Sequence, residues 1–172
     1  LFAAVPAVAD VSGSYGWEDG GTILGSYGNL GWAANVADPL GGGGSVLEIH
    51  EDPVGGTPQA FVAWITGLTD GDIVHGSFMG LGHNDLGTSS VRLWGHYTDT
   101  GGTIDDYAGS ASGNSSYSGA TWTMLEYDWT FDSDGGDRDG LVMEARIYTS
   151  GSDNGSAYVD DLSVYVEDTD GS

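Results

Sequence analysis

Apolar and polar side chains alternate along short stretches of this chain, and each stretch is soon stopped by Gly, Asp, Ser or Asn. A period of two belongs to a strand with one face on a core and the other turned outward. Such stretches predict strands near 23–27, 31–36, 46–51, 59–68, 73–79, 90–97, 122–131, 141–148 and 157–166. No segment between them carries the 3.6-residue period of an amphipathic helix. The connectors 41–44, 52–57, 82–88, 98–118, 132–140 and 150–156 are rich in turn formers, and 31 glycines supply the left-handed backbone that tight turns need. The expected fold is all-β, a jelly-roll sandwich of two antiparallel sheets, in one domain over 12–172 with an extra N-terminal strand before it. The 98–118 connector is long for a compact domain and reads as a functional loop or a packed excursion.

Charge disfavours several partners. The formal charge of −23 comes from 26 acidic residues against Arg92, Arg138 and Arg146, with no lysine. Such a chain repels phosphate backbones, so nucleic acid and anionic membrane surfaces are poor partners for it. Acid-rich surfaces also repel one another unless cations or salt screen them, which points to an extracellular, calcium-rich or saline setting. There is no cysteine, hence no disulfide framework and no thiol nucleophile. No apolar run reaches the roughly 20 residues of a helical membrane span.

Residues 1–11 are almost wholly apolar. Leu1, Val5 and Val11 fall on one face of an extended strand, Phe2 and Val8 on the other, so the segment wants burial on both sides. Three readings stay open: a strand donated to a neighbouring copy, a strand in the chain's own core, or a secretion-signal remnant ending in Ala7-Val8-Ala9. The first, with Ser12 to Gly16 as a hinge, makes the chain a homo-oligomer or polymer that builds a filament or matrix.

Four pieces of the sequence, in order and spread over nearly the whole chain, carry a resemblance. They are Trp17-Glu18-Asp19-Gly20, Gly44-Ser45-Val46-Leu47-Glu48-Ile49, Gly67-Leu68-Thr69-Asp70-Gly71-Asp72 and Tyr158-Val159-Asp160-Asp161-Leu162-Ser163-Val164. Together they resemble the jelly-roll superfamily that includes carbohydrate-binding module families 4, 9, 16 and 22. The resemblance implies a structural calcium ion tying the start of the domain to its end, with Glu18, a carbonyl near Ser45, and Asp160 as ligands. Alternation independently sets Asp160 on the face of Leu162 and Val164, where a bare carboxylate is costly and a hard cation would offset the cost. The alternative is that Asp160 meets water or Arg146. The acidic loop 132–140 has the look of a calcium loop, but Gly136 and Met143 stand where ligands belong, so it reads as a solvated hairpin.

No catalytic constellation is visible. His50, His75, His83 and His96 are scattered without zinc-type spacing, and neither a nucleophile elbow nor a phosphate loop occurs. Binding has better candidates. On 90–97 Val91 and Leu93 share one face, leaving Arg92, Trp94 and His96 on the other. On 141–148 the same logic turns Glu144, Arg146 and Tyr148 outward. If both strands share a sheet, that face offers aromatic rings among hydrogen-bonding groups, as a sugar ring requires; Trp17, Trp64, Trp122 and Trp129 are assigned to packing. The sequence therefore leads to a non-enzymatic, calcium-stabilised extracellular subunit that self-assembles through its first strand, or to a module that binds a polysaccharide.

Overall fold

The computed structural model describes residues 11–82, 88–150 and 155–169, and no helix forms among them. In chain order the strands are β1 (Val11–Tyr15), β2 (Gly25–Tyr27), β3 (Leu30–Ala37), β4 (Ser45–Glu51), β5 (Gln59–Thr66), β6 (Ile73–Gly82), β7 (Thr88–Asp99), β8 (Tyr107–Gly113), β9 (Thr123–Thr130), β10 (Arg138–Ser150) and β11 (Gly155–Glu167). One sheet runs β3-β4-β11-β6-β9 with β1 added on β11, and the other runs β2-β5-β10-β7-β8. All pairings are antiparallel. The expected all-β sandwich of two sheets is what forms.

Alternation builds the core. Leu47, Ile49, Val74, Phe78, Leu125 and Val159 from the first sheet meet Val91, Leu93, Leu141, Met143, Ala145 and Ile147 from the second in one buried cluster. Each large side chain in it contributes about 1.5–3 kcal/mol by leaving water. The inward row of β6 interposes Gly76 between Val74 and Phe78, where an added Cβ would sit 2.7 Å from Met143 Cε and 2.7 Å from Trp129 Cζ3. The missing side chain is the space those two fill.

Two strands were not expected from the sequence. The segment after Val11, taken for a hinge, is strand β1, whose Ser12, Gly13 and Ser14 pair with Tyr165, Val164 and Ser163. Small polar residues hid it, because an edge strand held mainly by its backbone needs no alternating apolar face. The second, β8, lies inside the long 98–118 connector. The expected assembly residues Leu1, Phe2, Val5 and Val8 lie outside the described residues; Val11 heads β1, and its backbone pairs with Val166 of its own chain. His83 also falls outside them.

Trp17 and Trp129 are core residues as expected. Trp64 is not: its register partner is Val142, which faces outward between Leu141 and Met143, so Trp64 lies on the outer face of the second sheet and stays 38 % exposed.

Candidate functional site

The outer face of the second sheet is ordered in rows across neighbouring strands. Trp64, Val142 and His96 form one row, Phe61, Glu144 and Trp94 the next, and Gln59, Arg146 and Arg92 the third. A β-bulge in β5 against Met143 and Glu144 keeps Phe61 in register with the outward residues. Edge strand β8 extends the first row with Ser110, and edge strand β2 sets Tyr27 beside Gln59.

A cleft of about 570 Å³ opens over these rows. Its walls are Tyr27 and Tyr107, 69 % and 62 % exposed, which rise from opposite edges of the sheet. Phe61 and His96 pave the floor with ring centroids 4.9 Å apart, and the Tyr107 ring stands 5.6 Å from that of His96. Phe61 lies there because Gly25 has no side chain; a Cβ at that point would come within 2.8 Å of the Phe61 ring. Gln59, Arg146, Asp105 and Ser110 supply donors and acceptors around the aromatic surface.

Beneath the floor runs a chain of charge. His96 Nδ1 lies 2.5 Å from Glu144 Oε1, and Arg146 Nε donates to Glu144 Oε2 at 2.5 Å. Alternation does turn Glu144 and His96 away from the core, yet Glu144 is fully buried and His96 shows only 2 % of its surface, at the cleft floor. The expectation that both stand open on the sheet is corrected by the rings and guanidinium groups that roof them. A buried carboxylate persists there because both of its oxygens are partnered.

Beside the cleft, Trp94 is less open than expected. The Arg92 guanidinium lies 4.1 Å and that of Arg146 4.8 Å from its ring centroid, and its Nε1–H donates to Ser110 Oγ at 3.0 Å. Arg92 Nη1 donates to the Tyr117 hydroxyl at 3.0 Å, and Tyr117 meets Tyr148 edge-on at 5.2 Å. Of the residues expected to bind, His96 and Arg146 line the cleft, whereas Arg92, Trp94 and Tyr148 form a packed cluster next to it.

A second corner gathers the expected metal ligands. Strands β4 and β1 share one edge of β11, β4 along Gly155–Val159 and β1 along Leu162–Val166. Between them β11 bulges at Asp160 to Ser163, with Asp161 in the left-handed region at φ 48°. The bulge flips the alternation: Ala157 and Val159 face the core before it, Leu162 and Val166 after it. Asp160 therefore shares the outer face with Tyr158, not the face of Leu162 and Val164 as the unbroken pattern implied. Its Oδ1 is buried without a hydrogen-bond partner. Burial raises its pKa, and the charges of Asp161, Glu18 and Asp38 push the same way. Glu18 Oε1 accepts the Ser45 N–H at 3.0 Å. Among the described residues no three His, Asp or Glu side chains stand together at metal-binding spacing. An orphaned carboxylate oxygen among like charges does fit a hard cation, provided carbonyl oxygens or water complete the shell.

No protein-family model matches the chain, and no curated protein matches its sequence. Solved structures do match. The CBM22-2 xylan-binding domain of Paenibacillus barcinonensis Xyn10C superposes with a TM-score of 0.59 at 21 % identity, over 90 % of this chain and 98 % of that one. The CBM22-1 xylan-binding domain of the same protein gives 0.58 at 12 % identity, over 89 % and 92 %. The CBM22-1-GH10 modules of Clostridium thermocellum Xyn10B, complexed with xylohexaose, give 0.55 at 13 % identity, over 84 % of this chain and 26 % of that one. The chain shares the two-sheet β-sandwich fold of these domains.

Within this fold the sequence left three aromatic residues of the cleft unnamed, Tyr27, Phe61 and Tyr107. Tyr27 ends an expected strand and Phe61 sits within one, but nothing local marks either as facing a ligand. Tyr107 lay in the supposed loop, where its ring had no strand register to place it.

Proposed function

We propose that this chain is a non-catalytic glycan-binding module that holds a stretch of polysaccharide between Tyr27 and Tyr107. The observation behind the reading is the cleft itself. Two exposed tyrosines flank an aromatic floor, with Arg146, Gln59, Asp105 and Ser110 set among them. Aromatic faces stack on the C–H faces of a sugar ring, while the polar rim bonds its hydroxyls. The likeness to xylan-binding domains makes xylan the first ligand to try. Such a module works where polysaccharide is met, outside the cell, and the dense surface charge keeps it soluble there.

Calcium belongs to the same proposal as a structural ion. Asp160 Oδ1, the Glu18 carboxylate and a carbonyl near Ser45 would hold it, and when bound it would supply the positive charge that this acidic corner lacks. The decisive experiment for the cleft is calorimetric titration with xylohexaose and with matching β-glucan and mannan oligosaccharides, followed by Tyr107→Ala. Binding that the substitution weakens is the expected result. No heat with any of the three classes would overturn the reading.

A further inference from the structure

Arg92 and Arg146 are direct cross-strand partners on β7 and β10. Side chains so placed have Cβ atoms about 4.5–5.5 Å apart, and like charges in that position repel. The chain holds only three cationic side chains and 26 acidic ones, yet two of the three stand side by side here, both against the Trp94 ring at 4.1 and 4.8 Å. Arg146 is neutralised by buried Glu144, and Arg138 pairs with Asp134 at 3.1 Å. Among the described residues Arg92 has no carboxylate within ion-pairing distance. It is held instead by the Trp94, Tyr117 and Tyr148 rings and by its bond to the Tyr117 hydroxyl, while its Nε is buried and unpartnered. A guanidinium fixed by stacking keeps its remaining N–H groups aimed in one direction at little further entropic cost.

We infer that Arg92 reads an anionic substituent, a uronate carboxylate or a sulfate ester, on a polysaccharide whose backbone lies in the cleft. This rests on the glycan-binding reading and narrows it from sugar in general to acidic polysaccharide. The row Gln59, Arg146, Arg92 supplies the path: the first two line the cleft, and Arg92 stands one strand beyond, where a branch leaving the backbone would arrive. A carboxylate or sulfate there takes paired charge-assisted bonds from the planar fork and relieves the repulsion between the two arginines. The surrounding acidity does not forbid it, because bare charges beyond about 10 Å are screened at 0.1 M salt whereas a direct contact is not.

The test compares three ligands with one backbone: neutral xylohexaose, a xylo-oligosaccharide bearing glucuronate, and one bearing sulfate. Wild-type protein is expected to bind at least one acidic ligand about tenfold more tightly than the neutral one, and which acid is favoured identifies the substituent. In Arg92→Gln the ratio of acidic to neutral affinity should fall to about one, and Arg92→Lys, which keeps the charge but not the fork, should fall between. A thermal melt of each variant confirms that it is folded. Neutral binding without preference for either acid, or a preference that survives Arg92→Gln, overturns this inference and leaves the cleft standing. No binding of any of the three overturns this inference, and the glycan-binding reading falls with it when β-glucan and mannan oligosaccharides fail as well.

Discussion

Glu144 reaches His96 on the diagonal. The register of β10 against β7 sets Glu144 opposite Trp94 and Val142 opposite His96, yet Glu144 Oε1 and His96 Nδ1 lie 2.5 Å apart. With Arg146 on its other oxygen, one buried carboxylate joins the aromatic floor of the cleft to its cationic wall. The site is stiff where it meets the sheet and open only at its tyrosine rims.

Removing that carboxylate leaves two buried donors without an acceptor. Glu144→Ala is expected to cost about 3–5 kcal/mol of stability, the usual penalty for breaking a buried pair from one side. Glu144→Gln keeps the shape and one acceptor and should lose less. Urea unfolding of the three proteins measures the difference; an alanine variant within about 1 kcal/mol of wild type would mean that the network is idle.

The tyrosines separate binding from folding. Tyr27 and Tyr107 project from edge strands and are mostly exposed. Truncating either to alanine should leave stability within about 0.5 kcal/mol while weakening oligosaccharide affinity by roughly tenfold. Calorimetry beside a thermal melt reads both quantities on one preparation. Full affinity after both substitutions would place the ligand elsewhere.

The fold was legible because alternation survives wherever a strand has one face on the core, as on β7 with Val91 and Leu93 inward against Arg92 and Trp94 outward. It failed where backbone pairing holds a strand without that pattern. Ser12, Gly13 and Ser14 read as a hinge, and β8, with Ala111 the buried residue along it, read as loop. It failed again at the β11 bulge, since one extra residue moves Asp160 to the opposite face and nothing in Asp160-Asp161 announces it. The site was half legible: period two put His96 and Arg146 on one face, but Tyr27 and Tyr107 come to the cleft only through the order of the strands, which local sequence does not carry.

His75 should make stability depend on pH near neutrality. Its partial burial favours the neutral ring, but hydrogen bonds and charges from Asp128 at 2.8 Å and Glu167 at 3.5 Å outweigh this and hold its pKa above the ordinary 6.5. A folded pKa raised above the unfolded one contributes stability that is complete below about 6.5 and is lost as pH rises through the raised folded value. Thermal melts across that window should show wild type losing an advantage over His75→Gln. Parallel curves for the two proteins would show that the two carboxylates do not act on the ring.

Asp160 carries the opposite kind of linkage. Burial, then the neighbouring Asp161, Glu18 and Asp38, raise its pKa above 3.8, so the folded chain binds this proton more tightly than the unfolded chain does. Without a cation, stability should therefore fall as pH rises from about 3.8 through the raised value, and the penalty should persist at neutral pH. Calcium, which needs the ionised oxygen, acts on the form that the fold disfavours and should restore the loss, with a melting temperature that climbs with ion concentration. Asp160→Asn removes the charge: in chelator it should melt at or above wild type, and it should no longer respond to calcium. Melting curves of both proteins in chelator and in millimolar calcium, at acidic and neutral pH, make the comparison. If wild type and the asparagine variant gain equally from the ion, calcium binds elsewhere and this corner is only a strained carboxylate.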